Sequence, residues 1–209
     1  MRAHYTAPGG RPADSDTPEG ASWNPTAGRG GRNRMGDGML ATLVVLAALS
    51  ALGIWLYNRL VADRNTVLAS WSDIGVQLKR RHDLIPKLVD AVKAYAGYEQ
   101  STLSRVTELR VVAARTSQPG AAGKVENELS AALRQLVAVA EAYPDLKANQ
   151  QFLNLMQEIS VVEKDIQHAR RYYNGAVKQF NVRVESVPGN LVAGLFRFVP
   201  AEYFQGDGA

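Results

Sequence analysis

The sequence predicts an all-α protein: a single N-terminal transmembrane helix followed by an antiparallel, up-and-down four-helix bundle with long first and last helices. Three observations predict it. Residues 39–57 form a run without a single charge. Beyond them, apolar residues recur at steps of three and four rather than two. Glycine- and proline-containing breaks then divide the pattern into four segments joined by short connections.

Residues 1–38 hold 8 glycines and 4 prolines but few large apolar side chains. Such a segment cannot bury enough surface to offset its ordering entropy, so a disordered tail is expected. The run MLATLVVLAALSALGIWLY (39–57) follows. At the helical rise it extends about 28 Å, close to the hydrocarbon thickness of a bilayer. Trp55 and Tyr57 close it, and amphipathic rings favour the interface. The alternative of a cleaved signal peptide, with Ala48-Leu49-Ser50 as the site, fits less well, because the apolar run continues past it. Arg29, Arg32 and Arg34 precede the span, whereas Arg59 and Arg64 follow it. The positive-inside rule then favours a cytoplasmic N-terminus and an extracytoplasmic bundle.

The bundle is expected over residues 58–187. Its first helix continues from the span, since nothing between Trp55 and Leu60 breaks it. Its seam runs through Leu60, Val67, Trp71, Ile74, Leu78, Ile85, Leu88, Val92 and Tyr95. Two shorter helices are expected at about Glu99–Arg115 and Val125–Ala142, bounded by Gly97, Ser117-Gln118-Pro119-Gly120 with Gly123, and Tyr143-Pro144-Asp145. The last helix carries the clearest stripe, from Phe152 through Val162, Tyr173 and Val177 to Val184, a coiled-coil-like repeat that ends before Val187-Pro188-Gly189. Residues 188–209 remain as an apolar C-terminal segment.

The stretch QLKRRHDLIPKLVD (77–90) sets a dense charge cluster before a proline in the first helix. Continued through it, the seam passes Arg64 and Arg81, while Lys79, Arg80 and His82 fall off it. A charge facing the bundle needs a partner, because desolvating it alone costs several kcal/mol. Antiparallel pairing of the long helices brings Arg81 near Glu163. A mid-bundle polar layer of Arg81 and Glu163, joined by Asp83 or Asp165, is therefore expected. Pro86 frees the carbonyl of His82. Arg80, Arg81 or water could satisfy it in a kinked helix, or Asp83 could cap a new helix there. Either way the stretch reads as a structural joint.

Two further groups stand out. Asn58 and Asn65, and Asn174 and Asn181, are paired at a spacing of seven, and the first of each pair follows a tyrosine. They are expected to fix register at the membrane-proximal end, as a buried asparagine does in a coiled coil. The C-terminal segment is too short to span a bilayer. An up-and-down bundle returns it to the membrane, so Leu195, Phe196, Arg197, Phe198, Tyr203 and Phe204 are expected, with Trp55 and Tyr57, at the lipid interface. The alternative is that the segment folds back and caps the core.

Little suggests catalysis. With no cysteine, disulfides, thiolate metal sites and cysteine nucleophiles are excluded. His82 and Asp83 are helical neighbours pointing about 100° apart, so neither orients the other. The three histidines are His4, His82 and His168, and none completes a Glu-x-x-His pair. Phosphate loops and nucleophile elbows are missing. The net charge of +4 is mixed with acids, which gives no nucleic-acid footprint. No catalytic residue, metal or cofactor is expected.

The stretches YNRLV (57–61), WSDIGVQLKRRHDLIPKLVDAVKAYAGYE (71–99), ENELSAALRQLVAVAEAYPDLKANQQFLNLMQEI (126–159), RRYYNGAVKQFN (170–181) and PGNLVAGLFRFVPAEYF (188–204) resemble the LemA proteins. The resemblance covers residues 55–204. It implies a bacterial single-pass membrane protein with a four-helix bundle and no settled biochemical activity. It also implies a short N-terminus outside the cell, opposite to the arginine count. The expected function is a non-catalytic scaffold or adaptor of the cell envelope. Its expected partners are membrane lipid, unidentified envelope or membrane proteins, and a second copy of the chain. The alternatives are a metal-binding or enzymatic bundle, and a cytoplasmic-facing membrane regulator.

Overall fold

The computed structural model describes residues 34–205, and their regular structure is helical without a strand. In chain order the helices are α1 (Arg34–Lys93), α2 (Gln100–Arg115), α3 (Pro119–Glu141), α4 (Pro144–Lys147), α5 (Gln150–Glu185) and α6 (Gly189–Leu195). The disordered tail expected over residues 1–33 lies outside the described residues. Residues 34–38, expected to be unstructured, instead open α1, where Asp37 complements the positive end of the helix dipole.

The chain divides into two compact units, Met1–Ala47 and Ala48–Ala209. In the first, the described residues are helical, and Leu40, Leu43, Val44 and Leu46 among them are exposed. In the second, the run continues with Leu49, Leu52, Ile54 and Trp55, also exposed. Of the described helices, α1 is long and apolar enough to cross a membrane.

The second unit has two apolar clusters. One joins Leu60, Val67, Ile74 and Leu78 of α1 to Val162, Ile166, Tyr173, Val177 and Phe180 of α5, and includes Ala193 and Phe204. The other joins Ile85, Leu88 and Val92 of α1 to Leu103, Val106 and Leu109 of α2, Leu129 and Leu136 of α3, Leu146 of α4 and Phe152 of α5. The short helices α2 and α3 therefore cover the second half of α1. Its middle stretch, from Leu60 to Leu78, is joined instead by Ala193 of α6 and Phe204 of the extended residues 198–205. Each fully buried aliphatic side chain contributes about 1.5–3 kcal/mol relative to exposure.

Local chemistry explains the helix ends that differ from expectation. Pro119 needs no N–H partner in the first turn, so α3 starts there rather than at Val125. Gly120 and Gly123 fall inside the helix because the backbone of residues 203–205 passes over them, leaving no space for a Cβ at Gly123. Pro144 and Asp145 similarly start the single turn α4, which buries Leu146, where only a break was expected. Asn149 caps α5, its Oδ1 accepting from the amides of Gln151 (2.8 Å) and Phe152 (3.1 Å). At its far end α6 closes in a Schellman turn. The Phe198 amide donates to the Ala193 carbonyl (2.9 Å), the Arg197 amide to that of Gly194 (3.4 Å), and Arg197 takes a positive φ of 57°.

Helix α1 continues through Pro86, so Asp83 caps no new helix. The carbonyl of His82 accepts from Arg110 Nε of α2 at 3.0 Å. The partner expected from α1 or solvent is thus a cation on the neighbouring helix.

Candidate functional site: a buried charge cluster at the Pro86 turn

Arg81 stands near where one apolar cluster of α1 gives way to the other, between Leu78 of the first and Ile85 of the second, and is 1% exposed. Its Nη1 donates to Glu163 Oε2 of α5 and to Ser130 Oγ of α3, both at 2.8 Å. Its Nη2 donates to the carboxylate of Glu126 on α3 and, at 3.4 Å, to the carbonyl of the same residue. The other Glu126 oxygen lies 2.8 Å from His82 Nε2. One carboxylate, itself buried, thus bridges two consecutive residues of α1. Together the groups tie α1, α3 and α5, and Arg110 adds α2 through the His82 carbonyl.

Burial pushes the Glu126 carboxyl up, but the hydrogen bond from His82 and the charge of Arg81 outweigh it and leave the group below its ordinary value. An ionised Glu126 only accepts, so His82 Nε2 carries the proton of that contact.

Glu163 is the partner expected for Arg81, and the structure brings the two together. Asp83 and Asp165 are not in the cluster. Each lies two residues beyond a member, about 200° further round its helix. Asp83 pairs with Lys79 at 2.8 Å on the surface, and the hydrogen bond from Lys79 holds its carboxyl below the usual value. Asp165 lies 4.0 Å from Arg80, with both half-exposed. Arg64, placed on the seam by heptad counting, is exposed, and its neighbour Asp63 is buried against Arg183 (2.6 Å) and Gln179 (3.2 Å).

Sequence reasoning missed Glu126 and Ser130, and placed His82 off the seam. Glu126 continues the stripe Leu129, Leu133, Leu136 backwards, the same signal that singled out Arg81. With the third helix expected from Val125, Glu126 falls in its first turn, where an acid is ordinary on dipole grounds alone. His82 is 7% exposed because α2 covers that side of α1.

The asparagines divide. Asn58 and Asn65 are exposed, which excludes a buried register layer for them. Asn181 and Asn174 bind the C-terminal strap rather than α1. Asn181 exchanges two hydrogen bonds with the backbone of Ala201, and Asn174 two with that of Phe204. The Tyr173 hydroxyl donates to the Glu202 carbonyl at 2.7 Å, and burial with the nearby Glu202 charge pushes its pKa up to about 12. Phe204, expected at the lipid interface, is 2% exposed beneath Trp71, with the Arg170 guanidinium 5.8 Å from its ring centre. Phe198 is half-buried beside Tyr57 and Phe180. Trp55, Leu195, Phe196, Arg197 and Tyr203 are exposed.

A cavity of about 550 Å³ opens between α3 and α5, with an apolar floor including Leu133 and Ile159 and with Ser130 and Glu163 at its border with the cluster. Among the described residues no three His, Asp or Glu side chains are grouped as a metal would need.

Residues 70–209 match the model of the LemA family. The chain is similar to Protein LemA of Metamycoplasma hominis, with 27% identity over 86% of either chain. It is similar also to Magnetosome proteins MamQ 1 and MamQ 2 of Paramagnetospirillum magneticum, each 25% identical over 82% of this chain and 75% of the relative. With two thirds of its length matched by the family model, this chain belongs to the LemA family.

Proposed function

We propose that this chain is a membrane-anchored, non-catalytic scaffold of the cell envelope. In this reading residues 39–57 cross the bilayer once, the tail is cytoplasmic, and the helical unit presents its surfaces to envelope proteins outside. The observation that carries it is the charge cluster. Arg81, His82, Glu126 and Glu163, the groups most like catalytic machinery, are spent on one another in holding three helices together. The names of the LemA and magnetosome relatives carry no activity, which fits this role.

The fold part of the proposal is an antiparallel bundle of α1, α2, α3 and α5. Its support is the contact pattern. As the residue number rises along α1 through Asp63, Trp71 and Arg81, that of the α5 partner falls through Arg183, Tyr173 and Glu163.

The test uses the absence of native cysteine. Tyr98→Cys, at a fully exposed position, is treated in intact cells with a membrane-impermeant maleimide and then with a thiol cross-linker. Labelling from outside, discrete adducts with other membrane proteins and retention in the membrane after alkaline washing are expected. A chain that washes off, or that stays monomeric under cross-linking, contradicts the scaffold. Labelling only after lysis reverses the orientation.

A further inference from the structure

We propose that the C-terminal turn around Arg197 is a docking site for an anionic phospholipid at the membrane boundary, with α6 lying in the headgroup region. This rests on the reading of residues 39–57 as a membrane span.

Four apolar side chains at this end are largely exposed: Leu191 (71%), Leu195 (77%), Phe196 (54%) and Val199 (76%). They are continuous with the end of the apolar run. The Tyr57 ring lies 4.6 Å from that of Phe196 and 5.9 Å from that of Phe198, and Ile54 and Trp55, one turn or less before it, are exposed as well. Where Tyr57 sits at the interface, the α6 patch sits there too. Water is a poor neighbour for so much contiguous apolar surface, and the acyl–headgroup boundary a good one.

Charge identifies the lipid. Between α1 and the strap is a cleft of about 240 Å³ lined by Arg64, Leu68, Phe198, Arg197 and Val199 among others. It pairs an apolar wall with two guanidiniums and no carboxylate. Among the described residues neither arginine is in an ion pair, whereas nearby Asp63 is occupied by Arg183 and Gln179. A phosphate diester bearing acyl chains matches both features, since guanidinium binds phosphate oxygens in a fork.

The backbone of Arg197 supplies an independent argument. It occupies the left-handed position of a Schellman turn, where glycine avoids the steric cost of a Cβ. The fold therefore gains nothing from arginine over glycine here. What arginine adds at this position is its guanidinium, which is in no ion pair among the described residues.

The test uses single cysteines, Leu195→Cys, Val199→Cys, Val45→Cys and Tyr98→Cys, each carrying an environment-sensitive fluorophore on the full-length chain. The chain is reconstituted in vesicles of phosphatidylcholine and phosphatidylglycerol, with nitroxide lipids of either headgroup as quenchers. Labels at 45, 195 and 199 should be quenched and that at 98 should not. At 199 the phosphatidylglycerol quencher should be the stronger. Adding Arg197→Gly and Arg64→Gln should equalise the two quenchers without lowering the melting temperature. An unquenched label at 195 beside a quenched one at 45 overturns the docking and leaves the anchor standing. An unquenched label at 45 overturns the anchor and the docking with it. A label at 195 that is shielded from water yet unquenched shows a protein on this face and also overturns the proposal. Equal quenching at 199 by both headgroups in the otherwise unaltered chain overturns the selectivity for anionic lipid.

Discussion

Asn181 and Ala201 exchange two hydrogen bonds. The side-chain amide donates to the Ala201 carbonyl at 2.9 Å, and its oxygen accepts from the Ala201 amide at 2.7 Å. Two turns earlier Asn174 does the same with Phe204, at 3.2 and 2.9 Å. A carboxamide offers one donor and one acceptor side by side, as a residue on a neighbouring strand would. The extended strap thus obtains ladder-like pairing from a helix surface, and its buried backbone groups are satisfied without a sheet.

Each net hydrogen bond contributes about 1 kcal/mol, so Asn181→Ala should destabilise the chain by about 2 kcal/mol. Phe204→Ala, which empties the socket beneath Trp71, should cost about 3–5 kcal/mol. Hydrogen exchange at the amides of Ala201 and Phe204 should accelerate in Asn181→Ala and Asn174→Ala respectively. Asn58→Ala and Asn65→Ala, at exposed positions, should change stability by less than about 0.5 kcal/mol. Unchanged exchange at the strap amides would mean that the clamps do not hold it.

Glycines on two helices should respond with opposite signs. A Cβ at Gly123 would collide with the backbone of Gln205, so Gly123→Ala should loosen the strap and lower the melting temperature. Nothing lies within 4 Å of a Cβ at Gly175. Gly175→Ala in the interior of α5 should therefore stabilise the chain by about 0.5–1 kcal/mol. Thermal unfolding of the two variants checks both, and destabilisation by both would contradict the distinction.

Acid should act through Glu126. Its carboxyl lies below the ordinary value of 4.5 in the folded chain, so the ionised group stabilises the fold. That contribution is complete above the unfolded-state value and is lost as pH falls through the lower folded one. The difference in melting temperature between the unaltered chain and Glu126→Gln should thus be widest at neutral pH and should narrow below about pH 4.5. A gap that widens on acidification would mean that Glu126 is protonated in the folded chain.

The all-helical fold was legible because its cause is local. The stripe from Phe152 to Val184 specifies α5 residue by residue, and Arg81 on the seam demanded an acid that the numbering of an antiparallel partner located at Glu163. What could not be read depends on contacts between distant segments. Gly120 and Gly123 look like helix breakers until the strap is seen to cross them. Asn174 resembles Asn58 in sequence context, but one meets the strap and the other solvent. Glu126 lies inside the helix expected from Val125, but nothing local shows that its face of that helix is covered. In the C-terminal segment, apolar composition alone could not separate Phe204, which fills the core, from Phe196, which does not.

The most direct measurement is a double-mutant cycle on Arg81 and Glu126, read by denaturant unfolding of the full-length chain in nanodiscs. If the cluster is a structural tie, Arg81→Met or Glu126→Met alone should cost about 3–5 kcal/mol, because each leaves a buried charge without its partner. The double variant should recover about 1–3 kcal/mol of the summed loss, while Glu163→Gln, at the more exposed partner, should cost only about 1 kcal/mol. Strictly additive losses for Arg81 and Glu126, or a loss at Glu163 equal to that at Glu126, would contradict the account.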